Sequence, residues 1–485
     1  MGNSPNTSSI HILDDDSLLN VFDFYQHLDD SNDEKTIILG EQDCVRDCYR
    51  RRWWYQLAHV CQRWRNLILG SSSYLDLSLV CTYGTPVADM LAHSLPLPLV
   101  ISFFDDNRDI TAEDEEAMIL ALKQRDRVRR VRVHVPDMQK FATAMEEEYP
   151  ILEGLVMGPS QEDVDSIELM FPTTFQAPRL RHLILINFNL PMESRLLTTA
   201  VGLITSNLFM IHPSTYFQPT FLLHWLSLMP QLDMLTVNFS FPIPSHDMGQ
   251  QVNHAPITTL VTRLRIFRLQ CNRAYLEEVV HRITAPCLER LQIELLNELT
   301  LPLPCLLHFI DTATSLAFDS AEFIFSDDYV QVEMSLSDAE IHAIRIRVTC
   351  CHTDRQVPSV AQIFNTSGKV FASVEHLTLI RTWPSRRYNG NNRTEWRNIL
   401  RSFSNVKTLC ADDRIIGDLS HCLRLDSGED PLELLPDLQE LAFSGHGYAV
   451  NSDGFASFID ARHNVGRPVT ITRPNAGRPV TIIRL

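Results

Sequence analysis

A short leucine pattern recurs along most of this chain and limits what it can fold into more than any other feature. Each copy reads Leu-x-x-Leu-x-Leu or a close variant, and it often follows a stretch with helical spacing. Alternate side chains of a short strand then face inward and a helix closes the other layer, so each unit needs neighbours to bury its core. The copies begin at Leu152, Leu180, Leu232, Leu264, Leu288, Val374, Val406 and Leu438.

The intervals between these starts are multiples or near-multiples of roughly 20 to 29 residues, the length of a leucine-rich repeat. The pattern therefore predicts an α/β fold in which an irregular leucine-rich-repeat-like solenoid spans residues 74–463, with parallel strands lining its concave face. Longer gaps are interpreted as degenerated repeats. The predicted closing helices lie at residues 139–149, 221–229, 274–284 and 393–403.

The asparagine that forms a ladder in regular repeats occurs convincingly only at Asn272, so the repeats are expected to be irregular. An ordinary doubly wound α/β domain is the competing architecture, but it gives no reason for the recurring triplet. The solenoid predicts that one leucine in each of five copies is buried in a continuous core, namely Leu183, Leu235, Leu291, Leu377 and Leu441.

The formal net charge of −18 argues against nucleic acid as the main partner, because proteins that bind a phosphate backbone normally carry a basic face. The basic run at residues 125–132 is interpreted as a half-buried strand, since Val128, Val131 and Val133 interrupt it. Neither the net charge nor this basic run therefore indicates that the protein binds nucleic acid.

The N-terminus is polar and lacks the pattern of a signal peptide, and the most apolar long stretch, at residues 196–211, is too short and too polar to span a bilayer. Eleven cysteines without a secretory signal are typical of reduced thiols in an intracellular protein. The sequence thus predicts a cytoplasmic or nuclear protein that has no membrane partner.

Two amphipathic segments precede the repeats. The first follows Leu13 and begins with Asp14, Asp15 and Asp16, which suit a helix N-terminus because carboxylates accept from its free N–H groups. In each segment the apolar residues recur at helical spacing. These residues are Leu18, Leu19 and Phe22 in the first segment, and Leu57, Val60, Cys61, Trp64, Leu67 and Ile68 in the second.

The ordered set of an acidic cap, Leu-Leu-x-x-Phe and Val-Cys-x-x-Trp-Arg resembles the two halves of an F-box, here separated by a polar insertion at residues 29–52. The usual proline after the first leucine is replaced by Asp14. The resemblance implies a helical module that docks on the Skp adaptor, and through it a cullin, of a ubiquitin ligase. It implies adaptor contacts or their supporting core at Leu13, Leu18, Leu19, Phe22, Leu57, Val60, Cys61 and Trp64.

From Tyr74 to the Arg-Pro-Val-Thr ending, the chain resembles a large family of F-box-like proteins from mushroom-forming fungi. The phrases at residues 80–87 and 458–462 are specific to that family. The resemblance implies a helical F-box-like module at residues 10–73, behind a disordered start at residues 1–9, followed by the leucine-rich-repeat-like region.

Other candidate sites have simpler structural interpretations. Cys44, Cys48, His59 and Cys61 include zinc-ligand types but not the paired Cys-x2-Cys spacing, and residues 350–352 are interpreted as core and edge positions. No phosphate-binding loop or catalytic motif occurs, and only 17 glycines are present, so neither a cofactor nor an enzymatic activity is predicted. Of Trp53 and Trp54, one is expected to anchor the second F-box helix and the other to cover the insertion.

The last 22 residues are a near-perfect tandem copy, Asn-x-Gly-Arg-Pro-Val-Thr-Ile, at residues 464–485. The first copy is predicted to supply a terminal strand. The second is predicted to hang free, because a terminal copy has no layer to cover its other face. Pairing as one more edge strand is the alternative.

The sequence thus predicts a non-catalytic subunit that recruits an unknown protein substrate to an adaptor and a cullin. The runner-up is a repeat scaffold whose F-box has lost its adaptor and caps the first strand of the solenoid. An enzyme on an α/β fold has no motif behind it.

Overall fold

The computed structural model describes residues 13–27, 53–104, 110–135, 138–159, 169–211, 217–240, 259–296, 302–337, 341–349, 353–364, 370–382, 392–426, 428–444, 453–475 and 478–480. Contacts divide the chain into two compact units, Met1–Leu203 (unit 1) and Ile204–Leu485 (unit 2). Both are mixed α/β structures built on parallel strands.

Unit 1 begins with helices and continues with alternating strands and helices. Its described helices are α1 (Asp15–His27), α2 (Trp53–Ala58), α3 (Gln62–Gly70), α4 (Val87–His93), α5 (Ala112–Leu122), α6 (Met138–Ala144) and α7 (Leu196–Thr199). Its described strands are β1 (Leu79–Cys81), β2 (Leu99–Phe103), β3 (Val128–His134), β4 (Gly154–Gly158), β5 (Leu169–Met170), β6 (His182–Ile186) and β7 (Phe188–Asn189).

The main strands of unit 1 pair in parallel in the order β1, β2, β3, β4, β6, and β5 pairs separately with β7. The valines at positions 128, 131 and 133 are fully buried while the intervening arginines are half-buried, so the half-buried strand predicted at residues 125–132 is confirmed from Val128 onward. Arg125–Arg127 form a short 3-10 helix instead. Gly158 ends β4 where a side chain would not fit, because an added Cβ would lie 2.8 Å from Cβ of Ile186.

Unit 2 repeats the strand–helix alternation. Its described strands are β8 (Thr205–Ile211), β9 (Met234–Phe239), β10 (Thr259–Leu260), β11 (Ile266–Cys271), β12 (Ile283–Thr284), β13 (Arg290–Leu295), β14 (Ser320–Phe325), β15 (Tyr329–Ser335), β16 (Ile344–Thr349), β17 (His376–Arg381), β18 (Thr408–Asp412), β19 (Glu440–Ser444), β20 (Thr470–Asn475) and β21 (Arg478–Val480). Its described helices are α8 (Pro219–Ser227), α9 (Arg273–Arg282), α10 (Pro304–Thr312), α11 (Thr353–Phe364), α12 (Arg393–Arg401), α13 (Ile416–Leu423) and α14 (Asp453–Asn464).

The unit 2 strands pair in the order β8, β9, β11, β13, β16, β15, β14, β17, β18, β19, β20. All of these pairs are parallel except those of β15, which runs antiparallel to both of its neighbours. The short strands β10 and β12 form a separate parallel pair. Helices close the parallel connections, and consecutive helices pack against one another, as in α9 and α10.

One buried row of apolar side chains crosses ten unit 2 strands in register. Aromatic contacts join this core-facing side to the helices: Phe239 lies 5.2 Å from Tyr275, and Phe325 lies 5.4 Å from Trp396, between ring centroids. The row consists of Leu235, Phe267, Leu291, Ile344, Met334, Ala321, Leu377, Leu409, Leu441 and the half-buried Ile471.

The predicted burial of all five triplet leucines is confirmed, since each is at most 1% exposed. Four of them belong to the unit 2 row, and Leu183 lies in register with Leu155 in unit 1. At each of the eight predicted starts the first residue is buried and a strand begins two residues later. The four predicted closing helices are also present, as α6, α8, α9 and α12, but each ends earlier than predicted. The largest difference is in α6, which ends at Ala144 and not at residue 149, and residues 283–284 form β12.

The interpretation of the long gaps needs a correction. The gap after Leu180 holds β8, a strand without a leucine triplet, as expected of a degenerated repeat. The gap after Leu288 instead holds a three-stranded antiparallel meander, β14–β15–β16. No helix separates β14 from β15, because the polar turn after Phe325 joins them directly, with Ser326 N donating to Tyr329 O at 2.9 Å. The strands therefore return antiparallel.

Asn272 caps a helix. Its side-chain Oδ1 accepts from Tyr275 N at 2.9 Å at the start of α9, immediately after β11. The next helix is capped from its neighbour, because the Glu277 carboxylate of α9 accepts from the backbone N–H groups of Cys305 and Leu306, both at 3.0 Å. The N-termini of these two helices are thus satisfied by different residues, an asparagine before one helix and a glutamate of the preceding helix at the other.

The segment at residues 458–462 contains a buried arginine. Arg462 is 0% exposed, and its guanidinium donates to the carbonyls of Leu435, Pro436 and Leu438 at 2.9–3.1 Å. Leu435 has a φ of +51°, a strained value for a residue other than glycine. Arg462 therefore satisfies the carbonyls of an irregular segment that no sheet or helix pairs.

The first C-terminal copy supplies β20, as predicted, which joins β19 through residues 470–472. The prediction that the second copy hangs free is wrong for Arg478–Val480, which pair antiparallel with residues 473–475. The sequence between the two runs is Ala-Gly, and glycine is favoured in the tight turns that join antiparallel strands. The remaining residues of the second copy lie outside the described residues.

In the part of the chain that the structure describes, no helix is both long and apolar enough to cross a membrane. The boundaries predicted at residues 9, 73 and 463 stay predictions.

Candidate adaptor-binding surface

The acidic start of α1 acts as a helix cap, as the sequence predicts. Asp14 Oδ1 accepts from Ser17 N at 2.7 Å, and this hydrogen bond lowers the pKa of the Asp14 carboxyl. Asp15 and Asp16 occupy the first turn, where negative charge is favourable. The replacement of proline by Asp14 is therefore compatible with the same helix start.

The second amphipathic segment is two helices, which corrects the single helical stretch expected there. Helix α2 ends at Ala58, and α3 begins after Cys61, whose backbone is extended and whose Sγ accepts from Trp64 N at 3.4 Å. Arg65 Nε donates to Ala58 O at 3.0 Å across the break. Cys61 therefore caps α3, and Val60 lies in the connecting turn.

The two halves of the module pack through aromatic side chains. The rings of Phe22 and Trp64 meet edge to face with centroids 5.0 Å apart, and both residues are buried. Trp54 is also buried, and its Nε1 donates to Ser78 O at 3.3 Å, just before β1. Trp54 thus anchors α2, whereas Trp53 is half-buried near Tyr25, and the insertion it was expected to cover lies outside the described residues.

Arg63 joins α3 to the start of α1. Its guanidinium donates to Asp15 Oδ1 at 2.6 Å and to Leu13 O at 2.7 Å. An ion pair this exposed contributes at most about 1 kcal/mol. Its geometric effect is to fix the N-terminus of α1 beside an open groove lined by Asp15, Gln62, Arg63, Asn66 and Leu67.

The eight predicted adaptor residues fall into three groups, so they do not form one surface. Their roles stay predictions. Leu18, Phe22 and Trp64 are buried, Leu19, Leu57 and Cys61 are half-buried, and Leu13 and Val60 are 38% and 59% exposed.

The sequence interpretation missed the most exposed apolar residues of α1. Val21, Phe24 and Tyr25 are 46%, 66% and 45% exposed and lie at i, i+3 and i+4, which places them on one helix face. That spacing is visible in the sequence, but the same residues could have completed a buried face. Only the burial of Leu18 and Phe22 on the other side shows that the face with Val21, Phe24 and Tyr25 is the exposed face of α1.

Only His59 and Cys61 of the candidate metal set are among the described residues, so the set stays untested. No group of three His, Cys, Asp or Glu side chains in the described part of the chain could hold a metal ion. Cys44, Cys48 and residues 350–352 lie outside the described residues, and the seven described cysteines carry thiols.

No model of a protein family matches this chain, and no curated protein is similar enough to match. Among the solved structures, the leucine-rich repeat-containing protein LegL7 from Legionella pneumophila is similar, with 11% sequence identity and a TM-score of 0.23. The alignment covers 81% of this chain and 98% of that chain. At this TM-score the likeness carries no weight, and the repeat character depends on the strands and burial described above.

Proposed function

We propose that this protein is a non-catalytic interaction protein that binds a Skp-type adaptor through its N-terminal helices and a protein target through its repeats. The exposed stripe of Val21, Phe24 and Tyr25 on α1 is the observation that carries the proposal. Exposed apolar side chains that share one face of a helix are typical of protein interfaces. The ligase chemistry would lie in other subunits of the complex.

Under this proposal the predicted residues have two roles. Leu18, Phe22 and Trp64 hold α1 against α3 and serve as the supporting core. The adaptor would then contact the exposed stripe together with Leu13 and Val60. The F-box-like order of residues in the sequence supports the choice of a Skp-type adaptor as the partner.

Calorimetry with the full-length chain and a purified Skp-type adaptor tests this proposal. Phe24→Glu should weaken binding at least about thirtyfold, because removing a hot-spot side chain typically costs 2 kcal/mol or more. Leu260→Glu is the matched control, since Leu260 is 59% exposed in unit 2 and should leave adaptor binding unchanged. Circular dichroism of both variants confirms that they fold.

A repeat scaffold without an adaptor is the second candidate. The bond from Trp54 to the carbonyl before β1 favours it, because it ties the helical module directly to the first strand, as a cap requires. If the wild-type protein shows no adaptor binding, the scaffold is the candidate that remains. Trp54→Phe should then lower the melting temperature of the chain.

A further inference from the structure

A row of polar side chains crosses unit 2 on the open face of its strands, opposite the core-facing row. It begins with Asn207 on β8, which pairs with Thr236 on β9. Thr236 pairs with Arg268 on β11, and Gln292 on β13 separates Arg268 from Arg345 on β16. Since neighbouring strands lie about 4.8 Å apart, Thr236 is adjacent to Arg268, and Arg345 lies about 10 Å further along the row.

Three side chains in this row lack expected hydrogen bonds. Asn207 and Thr236 are only 3% and 4% exposed. Asn207 Oδ1, Thr236 Oγ1 and Arg268 Nε are buried atoms with no hydrogen-bond partner among the described residues. Buried polar atoms in native proteins are nearly always paired, so a run of three neighbours suggests that a ligand supplies the partners.

Two arginines here are not held in an ion pair among the described residues, although the charge of Arg290 acts on the neighbouring Glu289. Arg290 lies two residues before Gln292 and therefore on the same face, diagonal to Arg268. Among the described residues, neither Arg268 nor Arg290 forms an ion pair, although Arg265 nearby is held by Glu289 at 2.8 Å. Burial lowers the pKa of Arg268, and the positive charges of Arg290 and Arg345 lower it further. A bound anion would offset this repulsion between the positive charges.

We propose that Thr236, Arg268 and Arg290 form a binding site for an acidic, extended segment of a partner protein. The inference rests on the proposed role of the repeats as the recruiting surface and names the chemistry of the recruited segment. Its carboxylates bind the two guanidinium groups and accept a hydrogen bond from the Thr236 hydroxyl.

Several carboxylates fit this site better than one phosphoryl group. Glu333, on β15, accepts from Arg345 Nε at 2.6 Å and so holds that guanidinium on the side of β16 away from β11. The positive charges are therefore spread over three strands and do not converge on one point. Alternate side chains of an extended segment are about 7 Å apart. Successive carboxylates of such a segment can therefore each reach a charge on a different strand.

The overall charge of −18 does not prevent this binding. Exposed charges further apart than about 8 Å are largely screened at physiological ionic strength. The carboxylates around the site are already held by other side chains. Glu333 is held by Arg345, by Gln331 at 2.8 Å and by His342 at 2.9 Å, Glu294 lies 3.9 Å from Arg347, and Glu289 is bound by Arg265 at 2.8 Å. The half-buried Arg268 and Arg290 are therefore left available to an acidic segment.

Fluorescence anisotropy with the full-length protein tests the proposal. The probe is a labelled eight-residue peptide of alternating Glu and Ser, compared with the same peptide carrying Gln for Glu and with a third carrying one phosphoserine among Gln and Ser. The Glu peptide should bind at least about tenfold more tightly than the other two, with an affinity that falls as salt is raised.

Arg268→Gln and Arg290→Gln should each lower the affinity for the Glu peptide about tenfold, whereas Arg282→Gln, on the opposite layer in α9, should leave it unchanged. Thr236→Val should lower the affinity severalfold yet raise the melting temperature, because it removes an unsatisfied buried hydroxyl.

Equal binding of the Glu and Gln peptides, or wild-type affinity in both arginine variants, would overturn the site. Tighter binding of the phosphoserine peptide would overturn the assignment to carboxylates. Adaptor binding is measured on the same variants and should not change, so the two proposals fail separately.

Discussion

Along β13, three core-facing side chains alternate with three that face the other way. Leu291, Ile293 and Leu295 are at most 1% exposed, while Arg290, Gln292 and Glu294 are half-buried on the open face. The core-facing side keeps this character from β9 to β19, because every position in the row must fill a layer that helices close. The open face is under no such constraint.

The open-face row changes chemistry at almost every strand. Each residue in this row is matched only to the residues beside it on adjacent strands. Glu333, for example, lies between Arg345 and Glu322. Two consequences follow from this difference between the faces. The buried row carries the information that specifies the fold. Under the proposed function, the variable row would distinguish one partner from another.

The largest expected effect comes from exchanging single residues on the two faces of β13. Leu291→Ala should lower the free energy of unfolding by about 2–5 kcal/mol, because it leaves a cavity in a closed layer. Gln292→Ala, the adjacent residue on the open face, should change it by at most about 0.5 kcal/mol. Urea denaturation followed by tryptophan fluorescence measures both. Equal destabilisation would contradict the assignment of the two faces.

A smaller effect concerns pH on the open face. Burial and then the charge of Glu333 raise the pKa of Glu322 above its ordinary value of 4.5, an effect that His342 partly offsets. The folded state therefore holds this proton more tightly than the unfolded chain, and the associated stability is lost as pH rises from the ordinary pKa through the raised one. Glu322→Gln should remove that loss and be more stable than the wild type above this window.

Glu289 provides a control of opposite sign. The hydrogen bond from Arg265 lowers the pKa of the Glu289 carboxyl, so the stability it contributes is present above the ordinary pKa and is lost as pH falls. Glu289→Gln should therefore be less stable than the wild type at neutral pH, and the difference should vanish in acid. Melting temperatures from about pH 3 to pH 8 measure both variants. A Glu322→Gln profile that runs parallel to the wild type would contradict the pKa shift.

Much of the fold could be predicted from the sequence, because the buried row is periodic. All eight triplet starts precede a strand, and the predicted helices follow the same spacing. The meander β14–β15–β16 was not predictable, since its alternation of apolar residues is the same for parallel and antiparallel pairing. Arg462 was also missed, because a charged residue inside a helix gives no sign that it binds carbonyls of a distant segment.

The candidate sites were less predictable than the fold. The spacing of Leu18 and Phe22 identified the packed side of α1. The exposed stripe that contains Phe24 has the same apolar spacing, and among the described residues only the absence of packing on it distinguishes it from the buried side. The break before Cys61 was hidden for a related reason, since apolar residues at positions 57–68 fit one continuous helix as well as two. The row through Arg268 emerges only when the strand register aligns residues from distant repeats.

The smallest effect is expected at the last strand, where the buried row ends. Ile471 pairs with Leu441 and extends the core-facing row. Among the described residues, β21 pairs only with residues 473–475, beyond the part of β20 that joins β19. Truncation after Pro474 should therefore leave the melting temperature nearly unchanged, because it removes no member of the row. Truncation before Val469, which is 8% exposed, removes β20 as well and should lower the melting temperature by several degrees. A drop of similar size in the shorter truncation would show that β21 belongs to the folded end of the sheet, since an isolated two-stranded hairpin is at best marginally stable in water.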